Sequence, residues 1–386
     1  MQREKAVLKL HTSAKASKRI NVLKKIVKID EKAGGIAKRT NAQINTSTIY
    51  SFSPYTPTEA VYMAYNAGMP VCGISDTDSA AGMKEFVKAA KICGLSYTLG
   101  CRTHAVIGGK RVGIMIYGIA EDQIPALEAL LANNREQSRQ AAEMRCKELN
   151  RLLKTKYTYK LDFNKIKDET EYKRGGTVTQ RHVYYAFAKL LCAKIEKGEK
   201  MIECIRSLGF EPREKSMPVL LAKDNPYYEY DLAREMSYNA GHEKEKYTDF
   251  AQLNKEIKVL GGFCAFIAKE RELADAEGFA ESLKKTGFDA VCADTSCANL
   301  DAFNAACIKR NMLLLPWNHI DSPRKKFLMQ EGMVHIMENV WALVGNELAL
   351  NTNNEDGIFS ETVRESRFEE KIKLFATIGK NGSKEQ

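Results

Sequence analysis

The chain has 386 residues, of which 44% are hydrophobic and 28% charged. That balance excludes wholesale disorder and leaves room for one large α/β domain or two smaller ones. No apolar run approaches the length of a membrane span, and no apolar signal core follows the basic N-terminus, so the expectation is a cytoplasmic protein with no membrane partner.

The formal net charge of +10 is gathered at one end: residues 1–45 hold twelve Lys and Arg against three acids. Such a leader can hold nucleic acid electrostatically. It has no aromatic side chain on which a base could stack, and Ile20, Leu23, Ile26 and Val27 recur at helical spacing. The preferred reading of residues 1–41 is therefore a basic helical extension docked on the body, with nucleic-acid binding through residues 1–45 as the alternative. Ten scattered cysteines without a C-x-x-C pair read as buried, reduced thiols.

The body opens with a short strand at Ala42-Gln43-Ile44. Thr56-Pro57-Thr58-Glu59 predicts a helix start, with Thr as N-cap, Pro at the first helical position and Glu completing a capping box. A strand over Val71–Ile74, a helix over Ser79–Cys93 and a strand over Ser96–Leu99 follow, which is the alternation of parallel β-α units. Gly108-Gly109 predicts a hairpin between Thr103–Ile107 and Arg111–Tyr117, and Glu121 to Lys154 reads as helical. Residues 155–245 lose the alternation and read as a helical insertion or cap, with a tyrosine-rich loop at Pro226–Tyr230. Alternation resumes from Asp249: strands at Phe263–Ala268, Asp289–Ala293 and Met312–Leu315, and helices near 249–260, 274–285, 300–309, from Pro323, and over 335–344. The domain expectation is a body over 42–350 and a C-terminal helix with a flexible tail over 351–386, frayed at Gly379-Lys380-Asn381-Gly382.

Polar residues gather where the early strands end: Asn45-Thr46-Ser47-Thr48, Ser75-Asp76-Thr77-Asp78 and Gly100-Cys101-Arg102. In barrels and open α/β sheets, ligands bind at those carboxyl ends. This frame resembles the polymerase and histidinol phosphatase (PHP) superfamily, whose motifs are His-x-His-Thr with a following Ser and helix, Thr-Asp-His-Asp before a Gly, and a strand closing in Gly-x-Glu. Thr179-Gln180-Arg181-His182 and Pro316-Trp317-Asn318-His319 are similar to later motifs of a bacterial branch of that superfamily. The resemblance implies a distorted β/α barrel and, in the family, a cluster of two or three metal ions acting on phosphoesters.

The ligands of such a cluster are largely absent. Asn45, Ser47 and Thr77 stand where the family has histidines, Arg102 where it has a glutamate, and Lys269 near the place of another histidine. Imidazoles and carboxylates are what hold divalent ions, and Arg102 puts a permanent cation in their place. The expectation is a catalytically degenerate PHP-like protein with no metal, whose pocket takes a phosphate-containing or other anionic small molecule. The expected ligand-binding residues are Asn45, Ser47, Asp76, Asp78, Arg102, Arg181, His182, Asn318 and His319. The alternative is a metal-dependent phosphoester hydrolase with a reduced site built on Asp76 and His182, which would need Zn, Mn or Fe. Asp76 and Asp78 also read as loop and helix-cap residues, since Asp78-Ser79 precedes a helix. His11, His242 and His335 have no motif around them. No G-x-S-x-G elbow, P-loop or H-E-x-x-H helix is present, and the basic turn Gly108-Gly109-Lys110-Arg111 is a weak phosphate-site candidate.

Overall fold

The computed structural model describes residues 2–38, 41–238, 247–328, 332–352, 356–360 and 367–385. His242 lies outside them. Seven strands form one sheet in chain order: β1 (Ala42–Thr46), β2 (Val71–Thr77), β3 (Ser96–Ile107), β4 (Lys110–Tyr117), β5 (Phe263–Ile267), β6 (Ala290–Ala293) and β7 (Leu313–Pro316). The β1–β2–β3 and β5–β6–β7 pairings are parallel, and β4 alone runs against its neighbours. The sheet nearly closes into a barrel. The backbone just beyond β7 reaches β1, where Ser47 N–H donates to the Ile320 carbonyl and Ile320 N–H to that of Asn45, each at 2.8 Å.

The parallel strands are buried on both faces, as helices on the connections require. The helix Pro57–Asn66 begins as its sequence demands: Thr56 accepts from Glu59 N–H, and the Glu59 carboxylate accepts from Thr56 N–H. At the N-terminus, helices span Gln2–Thr12 and Ala16–Lys32. The second buries Ile20, Val22, Leu23, Ile26 and Val27, and its Arg19 forms a two-pronged pair with Glu85. Residues between the helices Ala132–Lys154 and Tyr228–Tyr238 pack a second apolar cluster, including Leu149, Phe187, Ile205 and Leu232, apart from the core around the sheet.

Several expectations are corrected. Ser96–Leu99 and the first arm of the hairpin are one strand, so Arg102 lies within β3, opposite Thr77 on one side and Met115 on the other. Gly100 breaks nothing; it lets the Tyr117 ring pass, since a Cβ there would lie 2.7 Å from Tyr117 Cε1. The helix expected from Ser79 begins at Met83, and the helical region from Glu121 breaks at Leu131. Tyr228 and Tyr230 start a helix, not a loop. The segment from Pro323 to Leu328 is turn and coil. Residues 379–382 lie within the helix Phe368–Glu385, packed against the helix Met333–Thr352, so the end expected to fray is docked. Among the described residues, no helix is long and apolar enough to cross a membrane.

Candidate anion site at the carboxyl end of the sheet

The bulge in β1 between Gln43 and Thr46 turns the strand end toward the seam with the chain after β7. Asn45 is fully committed there: its Nδ2 donates to the Pro316 carbonyl at 2.6 Å, and its Oδ1 accepts from Tyr117 Oη at 2.6 Å. Gln43 Nε2 donates to the carbonyls of Asn45 and Asn318, fastening the same seam. The Asn318 side chain accepts from Thr295 Oγ1 at 3.3 Å. Asn45 and Asn318 are thus struts of the seam, and neither lines the cavity described below.

Both aspartates of the second strand end are buried and bound. Asp76 accepts from Thr48 N–H at 2.5 Å and from Thr48 Oγ1 at 2.6 Å; burial pushes its carboxyl up to about 7, against the pull of those two bonds. Asp78 has the left-handed φ of 52° that Asp tolerates better than most residues. It accepts from Thr103 Oγ1 at 2.6 Å and Ser138 Oγ at 2.8 Å, and burial raises it to about 6. It caps no helix; it joins β2, β3 and the helix Ala132–Lys154.

In front of these groups lies a cavity of about 180 Å³. Among the described residues its wall holds Arg102, Arg111 and Arg181, the imidazoles of His104 and His319, the hydroxyls of Ser47, Thr77 and Ser138, and no carboxylate. Arg102 and His104 share a face of β3 by the two-residue period of a strand. The Arg102 guanidinium sits 5.6 Å from the Trp317 ring centre, and its Nε is buried without a hydrogen-bond partner. Burial first, then Arg181 and Arg111, lower its pKa. Arg181 lies 4.5 Å over the Phe52 ring and donates to Asp321 at 2.6 Å. Burial, together with the neighbouring arginines, holds His104 well below the usual imidazole range, and burial carries His319 down to about 3. A second cavity of about 420 Å³ adjoins the first, sharing Phe52, Arg102 and Arg181.

His182 is not part of this wall. As the third residue of the helix Gln180–Cys192 it turns back, its Nδ1 accepting from Thr179 N–H at 3.1 Å. Half-buried and edge-on to Phe52, it is neutral, with a pKa pushed down to about 4 by the desolvation of its ring. Adjacent helix positions point about 100° apart, which is why Arg181 reaches the cavity and His182 does not. Arg111, named from sequence only as part of a weak phosphate-site turn, and His104, left out of the expected ligand set, both line the wall; Tyr247 in the wall and Asp321 in the adjoining cavity were not anticipated. Strand alternation was the available signal for the first two: Arg111 pairs with Val106, two residues beyond His104 on the face of Arg102.

A metal cluster does not fit these residues. Both polar atoms of Asn45 are spent, each Asp76 oxygen already accepts from Thr48, and a permanent cation, Arg102, stands in the cavity wall. Among the described residues, no three His, Cys, Asp or Glu side chains converge in a way that could hold an ion. A larger cavity, of about 910 Å³, lies at the opposite end of the sheet, before β5, β6 and β7, where Lys258 and Lys284 are both paired with Asp289. Those two lysines are thus neutralised within the protein, whereas Arg102 of the smaller cavity keeps an Nε without a partner.

No family model and no curated protein matches the chain. Among solved structures, the chain is similar to an amidohydrolase from Chromobacterium violaceum with bound sulfate and no metal, at 16% identity over 73% of this chain and 88% of that one, with a TM-score of 0.52. It is also similar to a candidate metal-dependent phosphoesterase from Bifidobacterium adolescentis, at 15% identity over 77% and 96% of the two chains, with a TM-score of 0.49. The first likeness is one of fold: the chain shares a mixed α/β architecture with a nearly closed, barrel-like sheet.

Proposed function

We propose that this chain is a PHP-like barrel that has exchanged its metal cluster for a direct anion-binding site, taking a small phosphate-, sulfate- or carboxylate-bearing molecule at the carboxyl end of the sheet. The observation that carries this reading is Arg102: a guanidinium inside the cavity, beside a second arginine, with an Nε that has no partner. Arg102 is only partly buried, but its Nε is buried with its hydrogen unmet, which is costly until an anion satisfies it, and a guanidinium matches the paired oxygens of phosphate, sulfate or carboxylate. Asp76 and Asp78 act as structural acceptors in this reading, and Arg181, steadied by Asp321, is the second charged contact.

Calorimetric titration with sulfate and with phosphate tests it. Saturable binding is expected in the wild-type protein, weakened at least about tenfold in Arg102→Ala, the loss of one charge-assisted hydrogen bond of about 1.5–3 kcal/mol. No binding, or equal binding in the variant, would overturn it. Metal analysis addresses the hydrolase alternative: stoichiometric zinc, manganese or iron, lost in Asp76→Ala, would favour that reading instead.

A further inference from the structure

Behind the same cavity wall, Ser47, His319 and Asp321 come together in an order that anion binding alone does not call for. Ser47 Oγ lies 2.8 Å from His319 Nε2, and His319 Nδ1 lies 3.7 Å from Asp321 Oδ2. All three are buried, at 1%, 7% and 7% exposure, yet Ser47 and His319 form part of the cavity wall. The arrangement is held by backbone. Ile320 is locked to β1 by two hydrogen bonds, and the alternation of an extended segment sends residues 319 and 321 to one side of it. Trp317, two residues earlier, stacks on the His319 ring with centroids 5.2 Å apart. Arg181 at 2.6 Å and Lys325 at 3.0 Å fix the Asp321 carboxylate.

We propose that Ser47, His319 and Asp321 form a nucleophile, base and orienting carboxylate that hydrolyse an acyl ester bearing a negative charge, with Arg102 and Arg181 holding that charge. The relay stands on the geometry of the seam; only the charge of the substrate rests on the anion-binding reading above. Ser47 Oγ bonds to the acyl carbon while its proton passes to His319 Nε2. The tetrahedral intermediate collapses, the ester C–O bond breaks, and the departing alkoxide takes the proton from His319. Water then adds to the acyl carbon, giving its proton to the same nitrogen. The bond to Ser47 breaks, and Oγ recovers the proton as the carboxylic acid leaves. Ser47 and His319 are the catalytic residues, and Asp321, 3.7 Å from Nδ1 and so beyond hydrogen-bond reach, is a positioning residue whose charge favours the tautomer with hydrogen on Nδ1. Burial keeps His319 neutral at neutral pH, so its Nε2 lone pair is available, and the ionised Asp321 offsets part of what burial, Arg102, Lys325 and Arg181 cost the imidazolium as it forms. The weaker contact of Ser47 Oγ with the Ser75 carbonyl, at 3.4 Å, competes with the reactive orientation.

The test is labelling of the full chain with an alkyl fluorophosphonate, followed by peptide mapping, with turnover of p-nitrophenyl hemisuccinate measured against p-nitrophenyl acetate. A single adduct on Ser47 is expected, slowed at least about 100-fold in His319→Gln, with the charged ester preferred and a chelator without effect. An adduct elsewhere, no adduct on the folded wild-type protein, or an unchanged rate in His319→Gln overturns the relay; mapping on the wild-type chain does not depend on any variant folding. Sulfate binding without labelling sinks the relay alone, and labelling that sulfate does not slow sinks the anion reading alone. For Asp321, ¹⁵N spectra of labelled histidine should show His319 with hydrogen on Nδ1, redistributed in Asp321→Asn; an unchanged tautomer removes Asp321 from the relay.

Discussion

Replacing Asp76 with asparagine should change how stability depends on pH more than it changes stability itself. Burial lifts the Asp76 carboxyl from 3.8 to about 7, so between those values the folded chain holds a proton that the unfolded chain has released. The stability from this group is complete below the unfolded value and is lost as the pH rises through the folded one. From pH 5 the loss runs at up to about 1.36 kcal/mol per unit, slows near pH 7, and comes to about 3 kcal/mol by pH 8. Asparagine keeps an acceptor for Thr48 N–H and does not titrate. His104, His182 and His319, all depressed, contribute the opposite slope below their unfolded value of 6.5, so the wild-type profile alone is not diagnostic. The difference between wild type and Asp76→Asn cancels them. Urea unfolding at pH 5 and pH 8 should show Asp76→Asn gaining about 3 kcal/mol relative to wild type at the higher pH. A difference that is equal at both pH values would refute the reasoning and mean that Thr48 and its surroundings hold the carboxylate ionised.

Two further substitutions test the seam and the C-terminal packing. Tyr117→Phe removes the donor to Asn45 Oδ1 and leaves that buried oxygen unmet, so the urea midpoint should fall by the equivalent of about 1–3 kcal/mol; no change would mean Asn45 finds another donor. Gly345→Ala would place a methyl group 1.8 Å from the Phe375 carbonyl oxygen, so the helix Phe368–Glu385 should be pushed off its neighbour. Trypsin cleavage within that helix should then accelerate and the melting temperature fall, by an amount expected of about 1–3 kcal/mol of overpacking or more; unchanged proteolysis would show that the helices separate at no cost.

The parts of the fold legible in the sequence are those written in local chemistry. The capping box at Thr56, the hairpin glycines and the alternation from Val71 to Leu99 each depend on residues a few positions apart. Asp78 was misread because Asp followed by Ser before a helix is the local pattern of a cap, while its partners Thr103 and Ser138 are set by the tertiary fold. Arg102 was singled out by its place in a motif that closes a strand in the family, whereas here β3 runs on past it and Gly100 makes room for Tyr117. The pairing of Ser47 with His319 spans 272 positions and carries no local signature at all. His182 illustrates the opposite error: a motif marks the right turn of helix, yet the residue facing the cavity is its neighbour Arg181.

The seam at Ile320 also sets a timetable. Residues 45–47 are made early and wait for residues 316–321, so the cavity has no wall on that side until most of the chain exists. Contacts of such separation carry the largest loop-closure cost and are expected among the last to form. A nascent chain that has reached β6 holds β1 to β6 and all three cavity arginines, but neither His319 nor the strut that positions Ser47. Under the proposed function, ligand binding would therefore report completed closure, and a bound anion would stabilise the closed barrel against opening at this joint.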